Sequence, residues 1–178
     1  MALVTSEPGP LVVGLADCKA ALRLERDDED ALLAGHIRAA MAVCEAFIGQ
    51  WLIEREGEQR LVGDLAWQRL QAGPVQAITG VFLAGVALAA GSWEADIGAD
   101  GCGWVRLISL PAGATPPSMV VRFRAGLGAD WNRVPEPLRA GVVRLVSHLF
   151  SHRDAPDAGP PPAAVAALWR PWRRMQLG

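Results

Sequence analysis

From Asp28 to Ile53 apolar residues recur at steps of three and four: Leu33, Ile37, Ala40, Cys44, Phe47, Ile48 and Trp51. That spacing draws one apolar stripe along a helix. The stretch contains no proline, and a helix spanning it would be about 39 Å long at 1.5 Å per residue. It opens on Asp28-Glu29-Asp30, where a helix N-terminus favours negative charge, and Asp27 or Asp28 can cap it. A second stripe, Leu138, Val142, Leu145, Val146 and Leu149, runs to about His152 and begins at Pro137, which suits a first helical turn. The two stripes are natural partners. Leu15 to Leu24 reads as a short first helix, joined to the long one through Glu25-Arg26-Asp27 as an αα-hairpin.

Between the two stripes the period changes. Gly73-Pro74 breaks the chain, Val75 to Leu83 is rich in β-branched residues, and glycines at 91, 98, 101 and 103 mark turns. Trp104-Val105-Arg106-Leu107 and Val120-Val121-Arg122-Phe123-Arg124 alternate as strands do. The pattern predicts a meander of four or five short antiparallel strands. The expected fold class is therefore α+β. Its mainly helical core would comprise two long helices (28–53 and 136–152) plus a short N-terminal helix (15–24). A small antiparallel sheet (about 59–126) would be inserted into it, and an extended C-terminal arm would follow. Residues 1–154 would form the body and 155–178 a proline-rich linker and arm.

A chain of 178 residues, 51% hydrophobic and 20% charged, has the size and composition of a globular protein with a real core. The net charge of -2 does not favour strong nonspecific nucleic-acid binding. Its distribution is uneven. Residues 1–58 carry five basic and eleven acidic side chains (net -6), and residues 59–178 carry twelve and eight (net +4). Such asymmetry points to different neighbours for the two parts. Cys18, Cys44 and Cys102 are odd in number and lack a CxxC pair, so reduced thiols are expected rather than a disulfide framework. No signal peptide is visible, and the apolar run around Val81–Ala90 is too short to cross a bilayer, so no membrane partner is expected.

Chemistry-bearing patterns are few. His148 and His152 stand four apart on one helix but lack the glutamate and third ligand a zinc site needs, and His36 has no evident partner. Gly126-Leu127-Gly128 lacks the lysine and third glycine of a phosphate loop and reads as a tight turn. The glycine-rich tip around Asp100 offers too few oxygens for calcium. These residues point to no catalytic group, no metal and no cofactor. The tail differs. Trp169 and Trp172 follow a proline-rich linker on a segment too short to hold a stable isolated helix. The pair either folds back on its own body or docks on another protein. Neighbouring Arg170, Arg173 and Arg174 favour docking, since tryptophan and arginine dominate interface hot spots.

Three stretches together resemble the head–tail connector (adaptor) family of long-tailed phages and gene transfer agents. They are Leu15-Ala16-Asp17-Cys18-Lys19-Ala20-Ala21-Leu22-Arg23 with Asp27-Asp28-Glu29-Asp30, then Val121-Arg122-Phe123-Arg124-Ala125-Gly126-Leu127-Gly128, then Val134-Pro135-Glu136-Pro137-Leu138-Arg139 running to His148 and His152-Arg153. The chain departs from the family pattern at Leu127 and at Phe150-Ser151, where aromatics are more usual. The resemblance implies a non-enzymatic protein of the virion or particle neck, assembled in the bacterial cytoplasm as a homo-oligomeric, dodecameric-type ring. The ring would sit between the capsid portal and a tail-side connector or stopper protein, and DNA would pass through it without sequence-specific binding. It further implies portal binding by the arm, here Trp169, Arg170, Trp172, Arg173, Arg174 and Met175. Phosphate contacts bind strongly, so a channel that lets DNA slide should avoid dense arginine. Asp27, Asp28, Glu29 and Asp30 are accordingly expected to face it. The alternative from another class is a small nucleic-acid- or protein-binding regulatory module.

Overall fold

The computed structural model describes residues 4–5, 15–23, 27–109, 118–152 and 160–174. The chain divides into two units, a β unit centred on residues 53–127 and a helical unit built from residues on either side of it.

The helical unit holds α1 (Leu15–Leu22), α2 (Asp30–Ile48), α3 (Glu136–Ser151) and α4 (Ala163–Trp169). α2 and α3 pack together through the two stripes that the spacing predicts, with Leu33, Ile37, Ala40, Cys44 and Ile48 facing Leu138, Val142, Leu145 and Val146, all buried. α2 is shorter than its periodicity suggests. It ends at Ile48 because Gly49 adopts a left-handed conformation (φ 68°) and donates its N–H to the Glu45 carbonyl. Beyond that turn the Leu52 N–H donates to the Glu45 carboxylate at 2.8 Å. At the other end neither Asp27 nor Asp28 caps the helix. Glu29 occupies the N-cap position but its side chain does not cap the helix, and Asp30 is the first helical residue. α1 ends at Leu22, and Leu24 lies outside the described residues. Burial pushes the Cys18 thiol up to about 11 and raises that of Cys44 further, so both are protonated packing groups.

The β unit corrects the expectation of a mainly helical core with a small inserted sheet. The described residues form two antiparallel sheets. One has five strands in the order β1 (Val4–Thr5), β2 (Arg55–Val62), β8 (Ser118–Ala125), β4 (Val75–Leu83), β5 (Val86–Ala87). The other has three, β3 (Gln68–Arg69), β7 (Gly103–Leu107), β6 (Trp93–Ile97). The order is no meander, since β2 pairs with β8 across the whole unit. β2 escapes detection because its sequence, Arg-Glu-Gly-Glu-Gln-Arg-Leu-Val, reads as a charged loop. It is a strand with one charged face, supplied with apolar neighbours by β8. Val121 and Phe123 point inward and are fully buried, while Arg122 and Arg124 point outward opposite Glu58 and Glu56. Arg122 pairs with Glu58 at 2.6 Å, and Arg124 with Glu54. Inside, Gln59 is 1% exposed and satisfied at both ends. Its Oε1 accepts from Gln71 N at 2.7 Å, and its Nε2 donates to the Arg69 carbonyl. At Gly126 the backbone runs so close to Ile53 and Glu54 that a Cβ would overlap them, which explains the glycine there better than any phosphate loop.

The alternation on β8 sets a sharp contrast. Phe123→Ala should lower the unfolding free energy in urea by about 3–5 kcal/mol, the usual cost of an aromatic cavity. Arg122→Ala, which loses one exposed ion pair and a contact over the Phe82 ring at 4.3 Å, should cost about 1–2 kcal/mol. Similar losses at both positions would contradict the inward and outward assignment.

Candidate functional site: the C-terminal arm and its seat

Pro162 opens α4, whose N-terminal turn starts with the Val165 and Ala166 N–H groups donating to its carbonyl. Pro171 then tightens the chain into a single 3-10 turn, Arg170–Trp172. This short helix is not free-standing. Val165 and Trp169 are buried, Trp169 completely. The Trp169 indole tilts against Phe47 of α2, with 5.8 Å between ring centroids, and its Nε1–H points at the Leu138 carbonyl at 3.4 Å. Beneath it lies Gly141, in the middle of α3. A Cβ at that position would overlap the indole. Glycine inside a helix costs about 1 kcal/mol relative to alanine. Here the missing methyl is the notch that admits a tryptophan. The chain after the indole is tied down by two further bonds, Gln50 Nε2 to the Trp172 carbonyl at 2.6 Å and Arg174 N to the Ile48 carbonyl at 2.9 Å.

The residues singled out in the tail thus separate into two groups. Trp169 serves its own body as an anchor. Arg170 and Arg173 are exposed, Trp172 and Arg174 are half-buried, and Met175 lies outside the described residues. The Arg173 guanidinium stands over the Phe47 ring at 5.8 Å. The notch at Gly141, the Leu138 carbonyl and Gln50 do not emerge from sequence reasoning. A glycine amid the second apolar stripe was the available signal.

The acidic head is also partly engaged within the chain. Lys19, the only lysine, bridges Asp27 at 2.5 Å and Asp30 at 2.8 Å, and so ties α1 to the start of α2. Asp27 and Asp28 are exposed, and Glu29 and Asp30 are half-buried. Hydrogen bonding to Asp27 first, then to Asp30, raises the Lys19 pKa, and the same lysine lowers that of Asp27. His148 and His152 stack at 4.3 Å, with His152 Nδ1 within 2.9 Å of the His148 carbonyl. Among the described residues no group of three His, Cys, Asp or Glu side chains could hold a metal.

Two predictions follow from this geometry. Gly141→Ala should destabilise the protein, whereas Gly35→Ala, at a helical glycine with open space around it, should stabilise it by up to about 1 kcal/mol. Thermal or urea unfolding reads the opposite signs, and a stabilising Gly141→Ala would contradict the notch. The second concerns pH. A depressed Asp27 pKa stabilises the fold above the ordinary value of 3.8, and that contribution is lost as pH falls below it. A raised Lys19 pKa stabilises below 10.5, and that contribution is lost as pH rises beyond it. Lys19→Met should therefore flatten the stability profile in both windows and leave the seat of Trp169 unchanged.

No protein-family model matches the chain, and no curated protein matches it. Solved structures do. It is similar to a chain in the neck of an empty gene transfer agent particle computed with C6 symmetry, at 27% identity and a TM-score of 0.79, covering 100% of this chain and 98% of that one. It is similar to a chain in the virion of a native gene transfer agent particle, at 25% identity, a TM-score of 0.76 and coverage of 99% and 98%. A third similar chain, from the neck of a native particle computed with C12 symmetry, has 27% identity, a TM-score of 0.70 and coverage of 99% and 98%. The likeness spans essentially the whole chain, so the protein has the fold of structural proteins of the gene transfer agent neck, in line with its resemblance to the head–tail connector (adaptor) family.

Proposed function

We propose that this protein is a head–tail adaptor: copies of it form a ring between the capsid portal and the tail and extend the DNA channel. The observation that carries the reading is likeness over essentially the full length to chains of gene transfer agent necks that were computed with cyclic symmetry. A cyclic ring uses a heterologous interface, one face of each copy meeting a different face of the next, and closes when the rotation between copies divides the circle. The work asked of such a protein is mechanical, so the fold needs no catalytic group. The arm engages the portal through Arg170, Trp172, Arg173, Arg174 and Met175, with Trp169 as the intramolecular anchor that presents them. The acidic head at Asp27–Asp30 borders the channel and keeps phosphate from being held there, so DNA slides without sequence-specific contacts. The opposite end of the ring receives a tail-side connector or stopper protein.

Because Trp169 belongs to the core, removing the whole arm would damage the body. A cleaner test changes only outward residues. The double variant Arg170→Ala, Arg173→Ala should melt close to the wild type but bind purified portal at least about thirty-fold more weakly, as expected if one hot spot worth about 2 kcal/mol is lost. Undiminished binding would remove the arm from the portal contact. Absence of the chain from purified necks would remove the adaptor reading itself.

A further inference from the structure

α2 is apolar on two sides. Its inner stripe is consumed by α3, yet the most apolar 18-residue window of the helix is only 28% buried. The remainder is a second stripe: Leu32, Gly35, Ala39, Ala42, Val43 and Ala46 recur at helical spacing on the outward side. Leu32 is 43% exposed and Val43 38%, and nothing lies within 4 Å of a Cβ placed on Gly35. Arg38 and Glu45 lie to one side of this stripe, and a lone chain leaves the apolar face itself in water, as contact surfaces do. On length and composition α2 could even cross a bilayer. Its inner stripe is already packed in protein, and similar chains stand in particle necks, so a protein surface is the better occupant.

We propose that the outward face of α2 packs against the outward face of α3 in the next copy of this chain. The inference rests on the ring reading above and deepens it by assigning the two unlike faces a ring requires. Within one copy the inner stripes of α2 and α3 already meet. Repeating that pairing between copies, outer face to outer face, gives an alternating belt of α2 and α3 that can close. The two faces suit each other. On α3 the outward positions include half-buried Ala140, Val143 and Ser147, small side chains beside exposed Arg144, and the Ser147 hydroxyl is already satisfied by the Val143 carbonyl at 3.1 Å. Exposed Arg144 supplies a positive charge on that face, whereas the α2 stripe begins beside the exposed carboxylates Asp27, which also pairs with Lys19, and Asp28. Opposite charges therefore border an apolar contact, with the carboxylates at its channel-side edge. Alanines and a glycine at the centre of the α2 stripe let two helices approach closely.

The test places the photocrosslinking residue benzoylphenylalanine at position 39 of the full-length chain in assembled particles. Irradiation should give a species at twice the mass of one copy, and peptide mapping should join position 39 to residues 140–152 of a second copy. Val43→Glu and Ala39→Glu, both at exposed positions, should keep the wild-type melting temperature and reduce the amount of chain in purified necks by at least tenfold. An adduct to another segment, to a different protein or to lipid overturns the proposal, as do charged variants that enter necks normally; either result leaves the adaptor reading intact. A chain missing from necks altogether overturns both.

Discussion

An indole buried against a helical glycine holds the helical unit in its final form. Trp169 cannot enter unless α3 lacks a side chain at residue 141, and the notch has no use unless a tryptophan fills it. Around this contact the other constraints fall into place. Phe47 closes one side of the ring, the Leu138 carbonyl takes its N–H, and the Gly49 turn leaves the Ile48 carbonyl open to the returning arm at Arg174. A seven-residue helix has no stability of its own in water, so the arm exists as structure because of where it lands.

The β unit solves a different problem by different means. β2 carries three carboxylate or guanidinium side chains on its outward face and would be soluble coil by itself. It becomes a strand because β8 offers both a backbone ladder and a matched row of arginines, and because the inward residues Val121 and Phe123 bring a core with them. The ion pairs on the exposed face contribute little each. They decide register more than stability, since a slip by one residue would turn the charges inward.

In the helical unit, much of the chemistry lies in how surfaces are distributed. The three thiols are buried, the stacked histidines lack further ligands among the described residues, and the buried amides of Gln50 and Gln59 both have hydrogen-bond partners. On the helical unit the outward-facing groups include arginines on the arm, carboxylates at the start of α2 and an apolar helix face between them in the chain. The apolar face is the one of these that water does not suit.

The helical half of the fold is legible in the residues themselves. The spacing of Leu33, Ile37, Ala40, Cys44 and Ile48, and of Leu138, Val142, Leu145 and Val146, fixes two amphipathic helices and makes them partners, because a periodic apolar stripe has no other low-energy use. The family resemblance, too, is carried by local motifs. Sequence could not reveal the extent of the β unit, because β2 is polar by composition and becomes a strand only through pairing with residues some sixty positions away. Nor could it decide between the two fates of the tail. Trp169 and Trp172 look alike in sequence, three residues apart, and only the notch at Gly141 makes one of them core and leaves the other at the surface. Local patterns record what each segment would bury; which surface receives it depends on shape complementarity between distant segments, and that exists only once the chain has folded.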